Sequence, residues 1–216
     1  MKSMAFKRLA LSVCAVTLLS GALTACFPLV VGAVAGGALM STDRRTSGAQ
    51  LEDEGIELRG ISRIRSNVGE RAHVNLTSFN RQVLLTGEVP NAQDKQLIEQ
   101  IASRVENVTG VVNELAVTSH STLTQRASDT LVTGRVKAGL LDASDLFANS
   151  FKVVTERGTV YLMGRVTQRE ANRGTEVVRG TTGVQKVVRF FEIISEAELV
   201  RLQPEAPKPS KSPNQP

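Results

Sequence analysis

Hydrophobic spacing divides the chain into elements that occur twice and in the same order. Ile56, Gly60, Ile64 and Val68 form the stripe of an amphipathic helix that starts near Asp53. Val132, Val136 and Leu140 repeat the stripe from a start at Asp129. Each aspartate stands where a carboxylate can accept from the free N–H groups of a first turn, which predicts an N-terminal capping role. Alternating positions follow: Val74 and Leu76, then Val83 and Leu85, predict strands over 73–79 and 82–88 with one face buried. Val153, Val160 and Leu162 predict the copies, over 151–155 and 159–165. The connections at 80–81 and 156–158 have lengths that suit hairpins.

A crossover helix comes next, over 92–105 with Leu97, Ile98, Ile101 and Val105 inward, and over 169–181 in the second copy. A third strand, 111–118 or 187–194, is predicted to return parallel to the second by a right-handed crossover. Gly87 and Gly164 fall inside the second strand of each copy, which predicts close approach of backbone or helix there. Asn107 and Gly183 occupy the helix-to-strand turns, where a left-handed conformation is often needed. The fold class predicted is α+β, two tandem αββαβ units, each a three-stranded mixed sheet against two helices. Two copies mean two domains rather than a solenoid, here 51–118 and 119–195.

The ends read differently. Lys2, Lys7 and Arg8, an apolar run over 9–19, and Leu23-Thr24-Ala25-Cys26 form an export signal with small residues at its cleavage point. Cys26 after Leu-Thr-Ala matches a lipobox, in which the thiol is diacylated and the new amino terminus, once the signal 1–25 is removed, is acylated too. Three chains exceed the two signals that stable anchoring needs, at ~0.8 kcal/mol per buried methylene. A plain secreted protein, or an uncleaved signal anchor, is the alternative. With Cys14 in the signal and Cys26 acylated, no disulfide is possible, so stability has to come from packed cores. Residues 26–50 read as an acylated start and flexible polar linker, and 27–40 are too few to span a bilayer. The stretch 196–216 reads as a disordered proline-rich tail.

Charge separates the copies. Seven Lys/Arg against ten Asp/Glu over 51–118 give −3, whereas eleven against seven over 119–195 give +4. A basic module on a membrane-held protein suits anionic head groups, at ~1 kcal/mol per Lys/Arg near the surface. Nucleic acid is the competing reading of a basic module. Export, one Tyr and no Trp for base stacking argue against it.

The order of strand, Gly-Glu-Val or Gly-Arg-Val, polar helix, then Val-Thr-Gly-Val-Val or Val-Gln-Lys-Val-Val resembles the BON domain. With the lipobox, the two copies and Val166-Thr167-Gln168-Arg169-Glu170-Ala171, the chain resembles the dual-BON outer-membrane lipoproteins of the DolP type over 51–194. The resemblance implies a non-enzymatic protein facing the periplasm, delivered to the outer membrane because Phe27 rather than Asp follows the cysteine. It also implies anionic-phospholipid binding, phosphatidylglycerol-like, through the first helix of the second domain, in support of envelope integrity.

The residues point to the same helix. Opposite its inward stripe lie Leu131, Gly134, Ala138 and Leu141, flanked by Arg135 and Lys137. Small and apolar residues edged by cations suit shallow insertion at a head-group boundary. Leu131 departs from the family, where an aromatic is expected. Two readings of this face stand open, membrane contact and packing against the first domain. A further reading of the whole chain is an adaptor for outer-membrane assembly machinery or peptidoglycan-remodelling proteins, with lipid only as anchor. Catalytic constellations are lacking: His73 and His120 read as solvent-facing, and no metal spacing, nucleophile elbow, phosphate loop or cofactor motif occurs.

Overall fold

The computed structural model describes residues 43–202. Cys26, the apolar stretch 27–40 and the proline-rich residues 203–216 lie outside the described residues. The first unit runs α1 (Ser47–Val68), a 3₁₀ turn, β1 (His73–Phe79), β2 (Gln82–Val89), α2 (Ala92–Ser103), β3 (Gly110–Asn113) and β4 (Ala116–Val117). The second runs α3 (Leu123–Asp142), a 3₁₀ turn, β5 (Phe151–Glu156), β6 (Thr159–Thr167), α4 (Gln168–Arg179) and β7 (Lys186–Ile194). In each sheet the first two strands are antiparallel and the returning strand is parallel to the middle one. In the first unit that return is broken into β3 and β4 at Glu114 and Leu115, where Leu115 turns into the core.

Both first helices start about six residues before the aspartates. Thr46 caps α1 by accepting from Ala49 N, and Thr122 with Gln125 forms a reciprocal capping box on α3. Asp53 and Asp129 are therefore not caps. They are buried one turn and more into the helix, and each carboxylate reaches the hairpin of its own sheet. Asp53 accepts from Ser78 Oγ at 2.7 Å, from Asn80 N and Arg81 N at 2.8 Å, and from Arg45 at 2.8 Å. Asp129 accepts from Arg157 N at 2.8 Å and Gly158 N at 2.9 Å. Burial acts to raise the Asp53 carboxyl, but its four hydrogen bonds outweigh that and hold it below the usual range.

Those hairpins are both two-residue turns with left-handed backbone, φ 49° and 68° at Asn80 and Arg81, 52° and 71° at Arg157 and Gly158. Glu156 thus ends a strand instead of opening a loop. Gly87 and Gly164 mark close backbone approach, since a Cβ on either would collide with a carbonyl oxygen, that of His73 or of Ser150.

The sheets are buried on both faces, not one. Val83, Leu85 and Val89 enter the first core with Ile56, Ile64 and Ile98. Val160, Leu162 and Val166 enter the second with Val132, Val136 and Leu140. The opposite faces meet each other: Phe79 and Leu84 of the first sheet pack with Tyr161 and Met163 of the second, joined by Val112, Val154, Val188 and Phe190. The two domains are packed sheet to sheet. Polar bonds ring this apolar seam, including Lys152 Nζ to Glu57 at 2.8 Å and Asn80 Nδ2 to Glu192 at 2.6 Å.

The arm before α1 is ordered where a linker was expected. Arg44 Nη1 and Nη2 each donate at 2.7 Å to Glu170, fully buried at the start of α4, and Nη1 also donates to Arg165 O at 2.9 Å. Arg45 binds Asp53 and lies over the Phe79 ring at 4.3 Å. Adjacent arginines therefore clamp both domains. Past β7, the stretch predicted as disordered begins with a helix, α5 (Glu196–Leu202), which buries Leu199 and pairs Glu198 with Arg165.

Candidate membrane-facing site

The second unit presents α3 with its inner stripe in the core and its outer face uncovered. Val132, Val136 and Leu140 are buried, and all six predicted lipid-facing residues, Leu131, Gly134, Arg135, Lys137, Ala138 and Leu141, are exposed. Leu131 is 61% exposed and Leu141 68%. A side chain at Gly134 would meet nothing within 4 Å. The first domain packs against the opposite side of the sheet, so it does not hide this face, and the interdomain reading of it is set aside.

Two residues of the face were missed. Because α3 begins at Leu123, its first two turns add Leu123, 83% exposed, and Ala127 to the same side. Thr122-x-x-Gln125, the capping box, was the signal in the sequence that could have placed the start there. The apolar strip then runs from Leu123 to Leu141, ~27 Å at 1.5 Å per residue.

Cations flank the strip without being neutralised. Arg135 and Lys137 are in no ion pair among the described residues, and Arg135 Nη1 lies 3.4 Å from the Thr182 carbonyl. On α1, by contrast, Arg59 pairs with Glu52 at 2.8 Å and Arg63 with Glu106 at 2.8 Å. No helix of the described residues is long and apolar enough to cross a membrane. The histidines also differ from expectation in part: His120 is exposed, but His73 is half-buried, its Nδ1 3.0 Å from Glu88.

A family model for the BON domain matches residues 61–119 and 128–195, more than half of the chain. Outer membrane lipoprotein DolP of Haemophilus influenzae is 34% identical over 190 residues, spanning 87% of this chain and 96% of that protein. A 21 kDa hemolysin of Actinobacillus pleuropneumoniae is 30% identical over 154 residues, 70% of this chain and 79% of its own. Osmotically-inducible protein Y of Escherichia coli is 28% identical over 117 residues, 53% of this chain and 58% of its own. Two BON matches, two packed αββαβ units and near-complete coverage of an outer-membrane relative lead to one assignment. The chain belongs to the BON-domain family, as a dual-BON outer-membrane lipoprotein of the DolP type.

Proposed function

We propose that this protein is a non-enzymatic, periplasm-facing reader of anionic phospholipid, held at the outer membrane by acyl chains on Cys26. The observation that carries the reading is the uncovered strip of α3, Leu123, Ala127, Leu131, Gly134, Ala138 and Leu141, beside the unpaired cations Arg135 and Lys137. Leucines enter the acyl boundary while the two cations stay with phosphate. A tether at Cys26 raises the local concentration of such a weak reader, so the helix face needs little affinity of its own. In this reading the lipid anchor gives residence, and α3 gives the choice of surface.

The test uses residues 41–216, which keep every described element and lack the acyl chains. They are expected to sediment with phosphatidylglycerol vesicles and not with phosphatidylcholine vesicles, and less so as salt rises. Equal sedimentation with both lipids, or none with either at low salt, contradicts the reading. In cells, Cys26→Ser is expected to move the protein from the membrane fraction to the soluble periplasm.

A second reading, an adaptor for envelope assembly or peptidoglycan-remodelling proteins, is favoured by one observation on the other domain. Leu51 and Leu58 stand exposed on the outer face of α1, beside a groove lined by Ile61, Val74 and Leu76. Loss of a crosslinked envelope partner on Leu58→Asp, with vesicle binding intact, would support it.

A further inference from the structure

His73 at the start of β1, Glu88 near the end of β2 and Glu156 at the end of β5 converge where the two domains meet. One nitrogen or oxygen from each lies within 4.8 Å of the other two. Glu88 is fully buried, Glu156 nearly so, and His73 is half-buried. Glu88 Oε2 stands 3.0 Å from His73 Nδ1 and accepts from Ser121 Oγ at 3.3 Å. Glu156 Oε2 accepts from Asn75 Nδ2 at 2.9 Å.

The group is short of positive charge and of donors. Arg126 spends a bond on Ser121 Oγ, 3.1 Å away, and pairs with neither carboxylate. A buried carboxylate oxygen is ordinarily answered by a donor. Glu88 Oε1, however, accepts from no donor among the described residues. Thr86 Oγ1 is equally buried and unpartnered, two residues earlier on the same face of β2, and Thr86 is in register with Asn75. Carboxylate oxygens and an imidazole nitrogen facing one another, with orphaned acceptors beside them, are what a bound cation resolves.

We propose that His73, Glu88 and Glu156 form a divalent-cation site that staples the first domain to the second, with a borderline ion such as Zn²⁺ as its ligand. One imidazole and two carboxylates are a donor set that Zn²⁺ accepts. In a tetrahedral site with bonds of about 2.0–2.1 Å, ligand atoms stand ~3.3 Å apart. His73 and Glu88 are already at 3.0 Å, and no separation in the group exceeds 4.8 Å. His73 and Glu88 come from the first sheet and Glu156 from the second, so the ion joins the faces that the apolar seam already brings together.

The full chain, purified from membranes in detergent and stripped with chelator, is titrated calorimetrically with Zn²⁺ alone. One ion per chain is expected, with a rise in the thermal midpoint. His73→Gln and Glu156→Gln are each expected to weaken binding by at least ~10–100-fold, the range seen even for residues one shell further out. His120→Gln, whose ring lies 3.1 Å from the Arg71 carbonyl, is expected to bind as the parent does. Should a variant fail to fold by circular dichroism, the zinc-edge absorption spectrum of the parent decides, with imidazole and carboxylate oxygen expected around the ion. No saturable binding by the parent, equal binding by a folded His73→Gln, or a spectrum without imidazole overturns the proposal.

Discussion

The inward residues of α1 and α3 match position for position, Asp53 with Asp129, Ile56 with Val132, Ile64 with Leu140. Their outward faces do not match. On α1 two arginines are held by carboxylates, Arg59 by Glu52 and Arg63 by Glu106, beside exposed Leu51, Leu58 and Arg65. On α3, by contrast, Arg135 and Lys137, in no ion pair among the described residues, flank a longer apolar strip. A shared sheet and hairpin fix what each helix must present inward, so duplication preserves it. Nothing in the fold fixes the outward side, and there the two copies have taken different chemistry. The first helix faces outward with two of its arginines neutralised and two exposed leucines, and the second with free cations along a longer apolar strip.

The sharpest break of the comparison is at the crossover helices. Asp94 at the start of α2 is paired with Arg71 of its own domain, and Arg71 is half exposed. Glu170 at the start of α4 is fully buried and takes its cation, Arg44, from the arm outside its domain. Arg44→Ala leaves a buried carboxylate unpaired, an expected cost of about 3–5 kcal/mol in denaturant unfolding. Arg71→Ala opens a pair whose guanidinium is half exposed and is expected to cost much less than Arg44→Ala in the same melts. Equal costs would mean that the arm contributes nothing special.

The hairpin locks come next. Asp53→Ala removes the acceptor for Ser78, Asn80, Arg81 and Arg45, and is expected to cost about 2–4 kcal/mol. Asp129→Ala strands only Arg157 N and Gly158 N and is expected to cost about 1–3 kcal/mol. Thermal or denaturant melts of the two variants give the order directly.

Acid gives a smaller effect of known sign. Burial acts to raise the Glu170 carboxyl, but the Arg44 pair and the Thr167 N–H hold it below its ordinary value of 4.5. A carboxyl lowered in the folded state binds its proton more readily when unfolded. Its contribution is therefore complete above about pH 4.5 and fades as the pH falls through the lowered folded value. Glu170→Gln is expected to flatten the stability profile below that pH and to leave its shape above it unchanged.

Much of this was legible because it is local. The two copies, their inner stripes, the places of the two hairpins and the strand glycines follow from spacing alone, although spacing put Glu156 in the second turn, where it ends the strand. The capping threonines were overlooked because Asp53 and Asp129 looked like caps, yet Thr46 and Thr122 lie where a capping hydroxyl serves. The burial of both faces of β2 and β6 had a weak trace in the unbroken runs Val83-Leu84-Leu85 and Val160-Tyr161-Leu162-Met163. Contacts between copies had none. Arg44 reaches Glu170 across 126 residues, and His73 meets Glu156 through the seam of two sheets. No periodicity records which sheet faces will be pressed together, so the clamp and the buried cluster had to be read from the structure.

The central claim is that α3, and not α1, reads the membrane. Matched variants test it on residues 41–216 with phosphatidylglycerol vesicles: Leu131→Asp with Arg135→Glu on α3, and Leu58→Asp with Arg65→Glu on α1. Withdrawing one leucine, about 1.5–3 kcal/mol, and one cation, ~1 kcal/mol, predicts that the α3 pair weakens partitioning by about a hundredfold or more. The α1 pair is expected to stay within about twofold of the parent, allowing for the long-range effect of two added negative charges in salt. An α3 variant that binds like the parent, or an α1 variant that abolishes binding, would contradict the account.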